Sequence, residues 1–345
     1  MNPARIRLGD LSVGFVYALA DALRDLGHAP QPLLERYGLD AARLAEPRAR
    51  LSIARYMHLG HTAIGLTGEP ALGLLTGRYS RMQQVGLAGI TAAQAPTVRE
   101  AARTLIRFEP LYASNYRGRS TLHEDSSGAW LRFHSIGPYN AYNRFVVDAV
   151  LTGWRQQLAA LAQAPLQAEA LQLEFCAPAY AERYQREFAC PASFDADFNG
   201  LRLDQQTLDL GNPLHCPGTW QELLQLCEQE LQRLTRTHSL RERVSQLLGP
   251  RLHGREPDME EIARHLHLPS WTLRRRLAEE GTRFSSIVNE TRRDLATAYV
   301  RDTELSFGEI AYLLGFASAE AFQRAFKRWL QQTPGELRRA HRHSA

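Results

Sequence analysis

The pattern of apolar and polar positions changes character three times along the chain. The first hundred residues read as short helices, cut by Gly27, Pro30, Gly38, Pro47, Gly68-Glu69-Pro70 and Pro96. The opening apolar run, Leu11 to Ala20, continues at helical spacing through Leu19, Leu23 and Leu26, with Asp21, Arg24 and Asp25 on the polar side. It reads as an ordinary first helix rather than a leader, although Arg5 and Arg7 precede it and Ala18-Leu19-Ala20 imitates a cleavage site. Near residue 116 the period shortens. Tyr116 to Leu122 and Ala129 to Ile136 are β-prone runs on either side of Glu124-Asp125-Ser126-Ser127-Gly128, a hairpin signature. A helix follows from about Tyr139 to Leu161 and stops before Pro165. Leu171 to Phe175 and Leu201 to Leu203 read as further strands. Residues 1–210 are therefore expected to form one α+β domain.

Gly211-Asn212-Pro213 breaks the pattern, and a helix from about Thr219 to Thr237 occupies a connecting segment, 211–238. Its stripe of Leu224, Cys227, Leu231 and Leu234 has two readings: it packs on its own domain, or it joins two copies as a dimer helix. From Ser239 onward everything reads as helix. Pro257-Asp258-Met259 opens a helix with Ile262, Ala263 and Leu266 on one face. After a turn at Leu268-Pro269, a second helix runs from Ser270, its expected N-cap, to a stop at Gly281. Leu273 and Leu277 face inward, which turns Trp271, Thr272, Arg274, Arg275 and Arg276 toward other directions. The arrangement recurs: a helix from Ser306 to Gly315, then one from Ser318 to Trp329 with Phe322, Phe326 and Trp329 inside and Gln323, Arg324 and Lys327 outside. Between the two pairs lies a helix from about Ser285 to Arg301, about 25 Å long at 1.5 Å per residue. Residues 239–345 thus read as an all-α domain with two helix-turn-helix units joined by a long helix. Such units can place two helices in successive major grooves, about 34 Å apart.

Charge sharpens this picture. Of 41 basic and 37 acidic residues, 18 basic and 14 acidic fall from Ser239 onward, so the whole net charge of +4 lies in the last third, where a polyanion would want it. Lys327 is the only lysine. The four cysteines, Cys176, Cys190, Cys216 and Cys227, form no CxxC pair, which fits a reducing, cytoplasmic setting. No run of eighteen apolar residues exists to span a membrane.

These motifs resemble a known family. Glu261-Ile262-Ala263, Leu273-Arg274-Arg275-Arg276-Leu277-Ala278-Glu279-Glu280-Gly281, Phe284, Arg292-Arg293-Asp294-Leu295-Ala296, Ile310-Ala311-Tyr312-Leu313-Leu314-Gly315-Phe316, Ala325-Phe326-Lys327-Arg328-Trp329 and Thr333-Pro334 resemble the DNA-binding domain of AraC/XylS transcriptional regulators. Upstream, Gly68 to Leu74, Ala95 to Ala101 and Cys190 to Phe194 resemble the sensor domain termed arabinose-binding in the ornithine-utilisation regulator subgroup. The resemblance implies a regulator, an activator, with a small-molecule effector, double-stranded promoter DNA and RNA polymerase as partners, and a homodimer left open. Carried over residue by residue, it implies base contacts from Trp271, Arg274 and Arg275 in the first unit and Glu320, Gln323 and Arg324 in the second. Arg276 and Lys327 are then phosphate contacts. Three positions depart from the family. Trp271 stands where many members have Arg, Pro269 where a capping Ser is usual, and Gln331 where a left-handed Gly is usual.

Other chemistry finds less support. Asp195-Ala196-Asp197-Phe198-Asn199-Gly200 imitates a calcium loop, but its twelfth position is Gln206 rather than Glu. His215, Cys216 and Cys227 lack a partner pair to complete a zinc site. There is no GxSxG, no GxxxxGK[ST] and no HExxH. Neither metal, nor cofactor, nor enzyme activity is expected. Arg107, Tyr112, Tyr116 and Arg144 read as structural, and no effector residue is assigned. The alternative is a small-molecule-binding protein or enzyme whose C-terminal helices serve protein contacts.

Overall fold

The computed structural model describes residues 8–136, 139–140, 142–236, 239–252, 257–303 and 305–342. The chain gathers into two compact units. One comprises Asp10–Asn115 and Arg119–Arg233; the other runs from Leu234 onward and takes in Tyr116–Gly118.

The first unit is mixed α and β. Its main sheet has five strands in the order β4-β5-β8-β6-β7, with β4 Thr121–Glu124, β5 Gly128–Phe133, β6 Ala170–Gln172, β7 Ala192–Ser193 and β8 Asn199–Asp204. Only the β6–β7 pair is parallel. The expected hairpin is β4–β5, and the Asp125 carboxylate closes its turn by accepting from the Ser127 and Gly128 amides at 2.8 and 3.1 Å. Alternation then decides the faces. Ala129, Leu131, Leu171, Leu201 and Leu203 enter the core beneath the helix Arg144–Ala162, which contributes Val147, Leu151 and Leu158. That helix starts five residues later than its apolar pattern predicts. Asn140 and Asn143 bind the local backbone instead, with the Asn143 amide oxygen accepting from the Asn140 N–H at 2.7 Å.

The first hundred residues are not wholly helical. β1 (Gly9–Ser12) pairs with β2 (Arg50–Ser52) and β3 (Ala113–Asn115) in a small sheet, so the run expected to open a helix at Leu11 starts as a strand, and the helix begins at Phe15. Arg5 and Arg7 lie outside the described residues. The segment likened to a calcium loop ends in β8. Helix Pro217–Arg236 buries Cys227 and lays Leu224 and Leu231 on the core of its own unit, while Leu234 is exposed. Tyr112 is buried and donates its hydroxyl to the Leu105 carbonyl at 3.1 Å, Arg107 pairs with Glu228, and Tyr116 clusters with the other unit. Among the described residues no helix is long and apolar enough to cross a membrane.

The second unit is helical. Its helices span Leu240–Leu248, Met259–His265, Ser270–Glu279, Phe284–Asp302, Phe307–Leu313, Ala319–Leu330 and Pro334–Arg342. Ser306 and Glu309 form a capping box, and Ser318 caps the Ala321 amide at 3.2 Å. Ser270 does not cap its helix. Pro269 takes the cap position in an extended conformation, and Ser270 is the first helical residue. Gln331 ends Ala319–Leu330 in the left-handed region, at φ 56°. A side chain there is strained, so Gln331→Gly is expected to raise unfolding free energy by about 0.5–1 kcal/mol, measurable by urea denaturation; a loss of stability would refute it.

Candidate nucleic-acid interface

Two helix pairs in the second unit share one backbone device. In the first, the Leu268 amide bonds the Ala263 carbonyl at 3.0 Å and the His267 amide bonds Arg264 at 3.0 Å. In the second, Phe316 bonds Ala311 at 2.9 Å and Gly315 bonds Tyr312 at 3.0 Å. The turning residue is left-handed in both, His267 at φ 54° and Gly315 at φ 70°. Each turn feeds a helix whose inner face is fixed by large apolar groups. In Ser270–Glu279 these are Leu273 and Leu277; in Ala319–Leu330 they are Phe322 and Phe326, both fully buried. Phe322 meets Phe316 and Phe326 edge-on at centroid distances of 5.8 and 5.6 Å. Trp329, expected inside, is only half-buried against Phe316. Arg292 of the long helix Phe284–Asp302 is buried and donates to the Leu314 carbonyl at 3.1 Å, which ties that helix to the second turn.

The inner residues dictate what faces out. The second, fifth and sixth residues of Ser270–Glu279 are Trp271, Arg274 and Arg275, and all three are exposed. The same places in Ala319–Leu330 hold Glu320, Gln323 and Arg324, again all exposed. Arg276 and Lys327 are exposed too. Thr272, expected to turn outward, is buried beside Leu273. Sequence reasoning passes over Tyr312, 63% exposed on Phe307–Leu313, and over the exposed Arg328; the Lys327-Arg328 pair was the available signal for the latter.

Electrostatics set these cations apart. Among the described residues Arg274, Arg276, Arg324 and Lys327 have no carboxylate within ion-pair distance, whereas in the first unit Arg99, Arg103 and Arg202 each engage two. Arg275 rests near the Trp271 ring at 5.7 Å and 3.6 Å from Glu279, both contacts well exposed and therefore weak. The Ser318 hydroxyl, with the backbone at the helix start, holds the Glu320 carboxyl below its ordinary value, so it presents an acceptor. Two helices thus offer fork donors, an amide and a carboxylate, which are the groups that pair with base edges in a major groove.

The same segments match known sequence families. Residues 262–340 match a family described as a helix-turn-helix domain, and residues 27–212 match the arabinose-binding domain of AraC transcription regulators, N-terminal. The ornithine utilization regulator of Pseudomonas aeruginosa is 30% identical over 95% of this chain and 96% of its own. The chain belongs to the AraC family of transcription regulators.

A more distant relative, the HTH-type transcriptional regulator VirS of Mycobacterium tuberculosis, is 23% identical over 94% of both chains. The crystal structure of the transcriptional regulator CdpR from Pseudomonas aeruginosa aligns over 94% of this chain and 98% of that one, at 22% identity and a TM-score of 0.45. On the two family matches and the ornithine utilization regulator, this AraC-family chain is a DNA-binding transcription regulator with an N-terminal ligand-binding domain. The relatives it matches are regulators rather than enzymes.

Proposed function

We propose that this AraC-family regulator is an activator that reads promoter DNA with two helix-turn-helix units joined by the helix Phe284–Asp302. Trp271, Arg274 and Arg275 read one half-site, and Glu320, Gln323 and Arg324 read the next; Arg276 and Lys327 hold phosphates. Residues 1–210 take a small-molecule effector, residues 211–238 connect the two domains, with the Leu224–Cys227–Leu231 stripe spent on the first unit's own core, and residues 239–345 engage DNA and RNA polymerase. The observation that carries the reading is the matched display of residues two, five and six on both helices, beside cations, Arg274, Arg276, Arg324 and Lys327, that form no ion pair among the described residues. An effector that binds one conformation better than another shifts promoter occupancy. Genome-wide mapping of the intact protein is expected to give sharp promoter peaks, and its affinity for those promoters should fall steeply with salt while keeping an excess over random DNA. A folded, expressed protein with no enrichment under any growth condition would refute the DNA-reading assignment.

A further inference from the structure

The outer face of the five-stranded sheet carries a cation that the first unit does not neutralise. Arg132 on β5 stands directly opposite Thr121 on β4 and Gly200 on β8, so the three share one row of the outer face. Its guanidinium carbon lies 3.9 Å from the Phe198 ring centroid, and Phe198 in turn meets Trp130 edge-on at 5.2 Å. Gly200 permits this stack: a Cβ there would come within 2.8 Å of the Phe198 ring. The neighbouring Arg202 is fully engaged, by Asp125 at 3.0 Å and Glu169 at 2.8 Å. Arg132 has no ion pair among the described residues. Its Nε and the Thr121 Oγ1 are both buried without a hydrogen-bond partner among them. Buried polar atoms are nearly always satisfied, so these two orphaned atoms beside an unpaired cation call for an acceptor from outside the described residues.

We infer that Arg132 anchors the carboxylate of an organic acid, which engages the guanidinium while its carbon frame contacts the neighbouring Trp130 and Phe198 side chains. This rests on the reading that residues 1–210 receive a small-molecule effector, and it names that effector's class. A planar carboxylate suits the fork geometry of a guanidinium already packed against an aromatic ring. The competing cation, Arg81, lines a cleft of about 310 Å³ with Tyr17, Asp21, Gln83 and Gln84, but Asp21 already pairs with it at 3.0 Å.

The test is calorimetric titration of the full chain with phenylacetate, with its neutral isostere phenylacetamide, and with inorganic phosphate. Saturable phenylacetate binding is expected, weakened about tenfold or more in Arg132→Gln and in the amide. Thr121→Val, a milder change, should weaken it less, and Arg81→Gln not at all. Equal binding of acid and amide by the wild type, no saturable binding, tighter binding of phosphate, or full retention in Arg132→Gln would each overturn the assignment. Promoter affinity separates the two levels. Carboxylate binding at Arg132 without any change in promoter affinity would refute the effector reading while the site stands. A promoter response to another compound, untouched by Arg132→Gln, would refute the site while the effector reading stands.

Discussion

The Arg275→Ala/Arg324→Ala double variant is expected to bind its promoter roughly 1.5 to 4 orders of magnitude more weakly, because each well-placed guanidinium–base pair contributes about 1–3 kcal/mol. The two residues occupy the same place on separate helices, so their losses should add. Affinity for random DNA should fall far less, since Arg276, Lys327 and Arg328 remain exposed for phosphates. Gel shifts on promoter and scrambled duplexes across a salt series separate these effects. Lys327→Ala should instead weaken both duplexes alike and lower the salt slope by about one. Equal losses on both duplexes in the double variant would make Arg275 and Arg324 phosphate contacts; no loss would remove them from the interface. Folding is not at stake, because Arg275 keeps only exposed contacts with Trp271 and Glu279.

The DNA-binding half was legible because local signals and global packing agree there. Ser306 and Ser318 cap, Gly281 and Gly315 turn left-handed, and the apolar spacing of Leu273, Leu277, Phe322 and Phe326 fixes which side chains face out. Where tertiary context decides, the reading failed. β1 and β2 are four and three residues long, too short to show a period of two, and their pairing joins Leu11 to Leu51 across the chain. His267 adopts a left-handed conformation that favours glycine and does not announce itself, whereas the left-handed turn at Gln331 was legible from the glycine that usually stands there. The Arg132 row was equally invisible, since its members come from three strands brought into register only by folding.

One buried carboxyl should make the first unit's stability depend on pH. Asp148, on Arg144–Ala162, is 1% exposed and faces Gly73, where even a Cβ would not fit. Tyr184 and Tyr180 donate their hydroxyls to its two oxygens at 2.5 and 2.8 Å, and Arg144 attracts it weakly from one turn away. Loss of solvation outweighs all three and pushes the Asp148 carboxyl up to about 7. An unfolded Asp titrates near 3.9, so between roughly pH 4 and 7 the folded chain keeps a proton that the unfolded chain has released. The stabilisation is therefore complete at low pH and is lost as pH rises through about 7. Asp148→Asn cannot ionise and keeps an oxygen for Tyr184. Urea unfolding of both proteins at pH 5 and pH 8 should show the variant gaining on the wild type by a few kcal/mol at the higher pH, at about 1.4 kcal/mol per pKa unit. Other titrating groups are common to both proteins and cancel in that difference. Identical pH dependence in the two would mean that Asp148 ionises as freely in the core as in water, and a variant destabilised equally at both values would mean that the carboxyl's hydrogen bonds, not its charge, set its contribution.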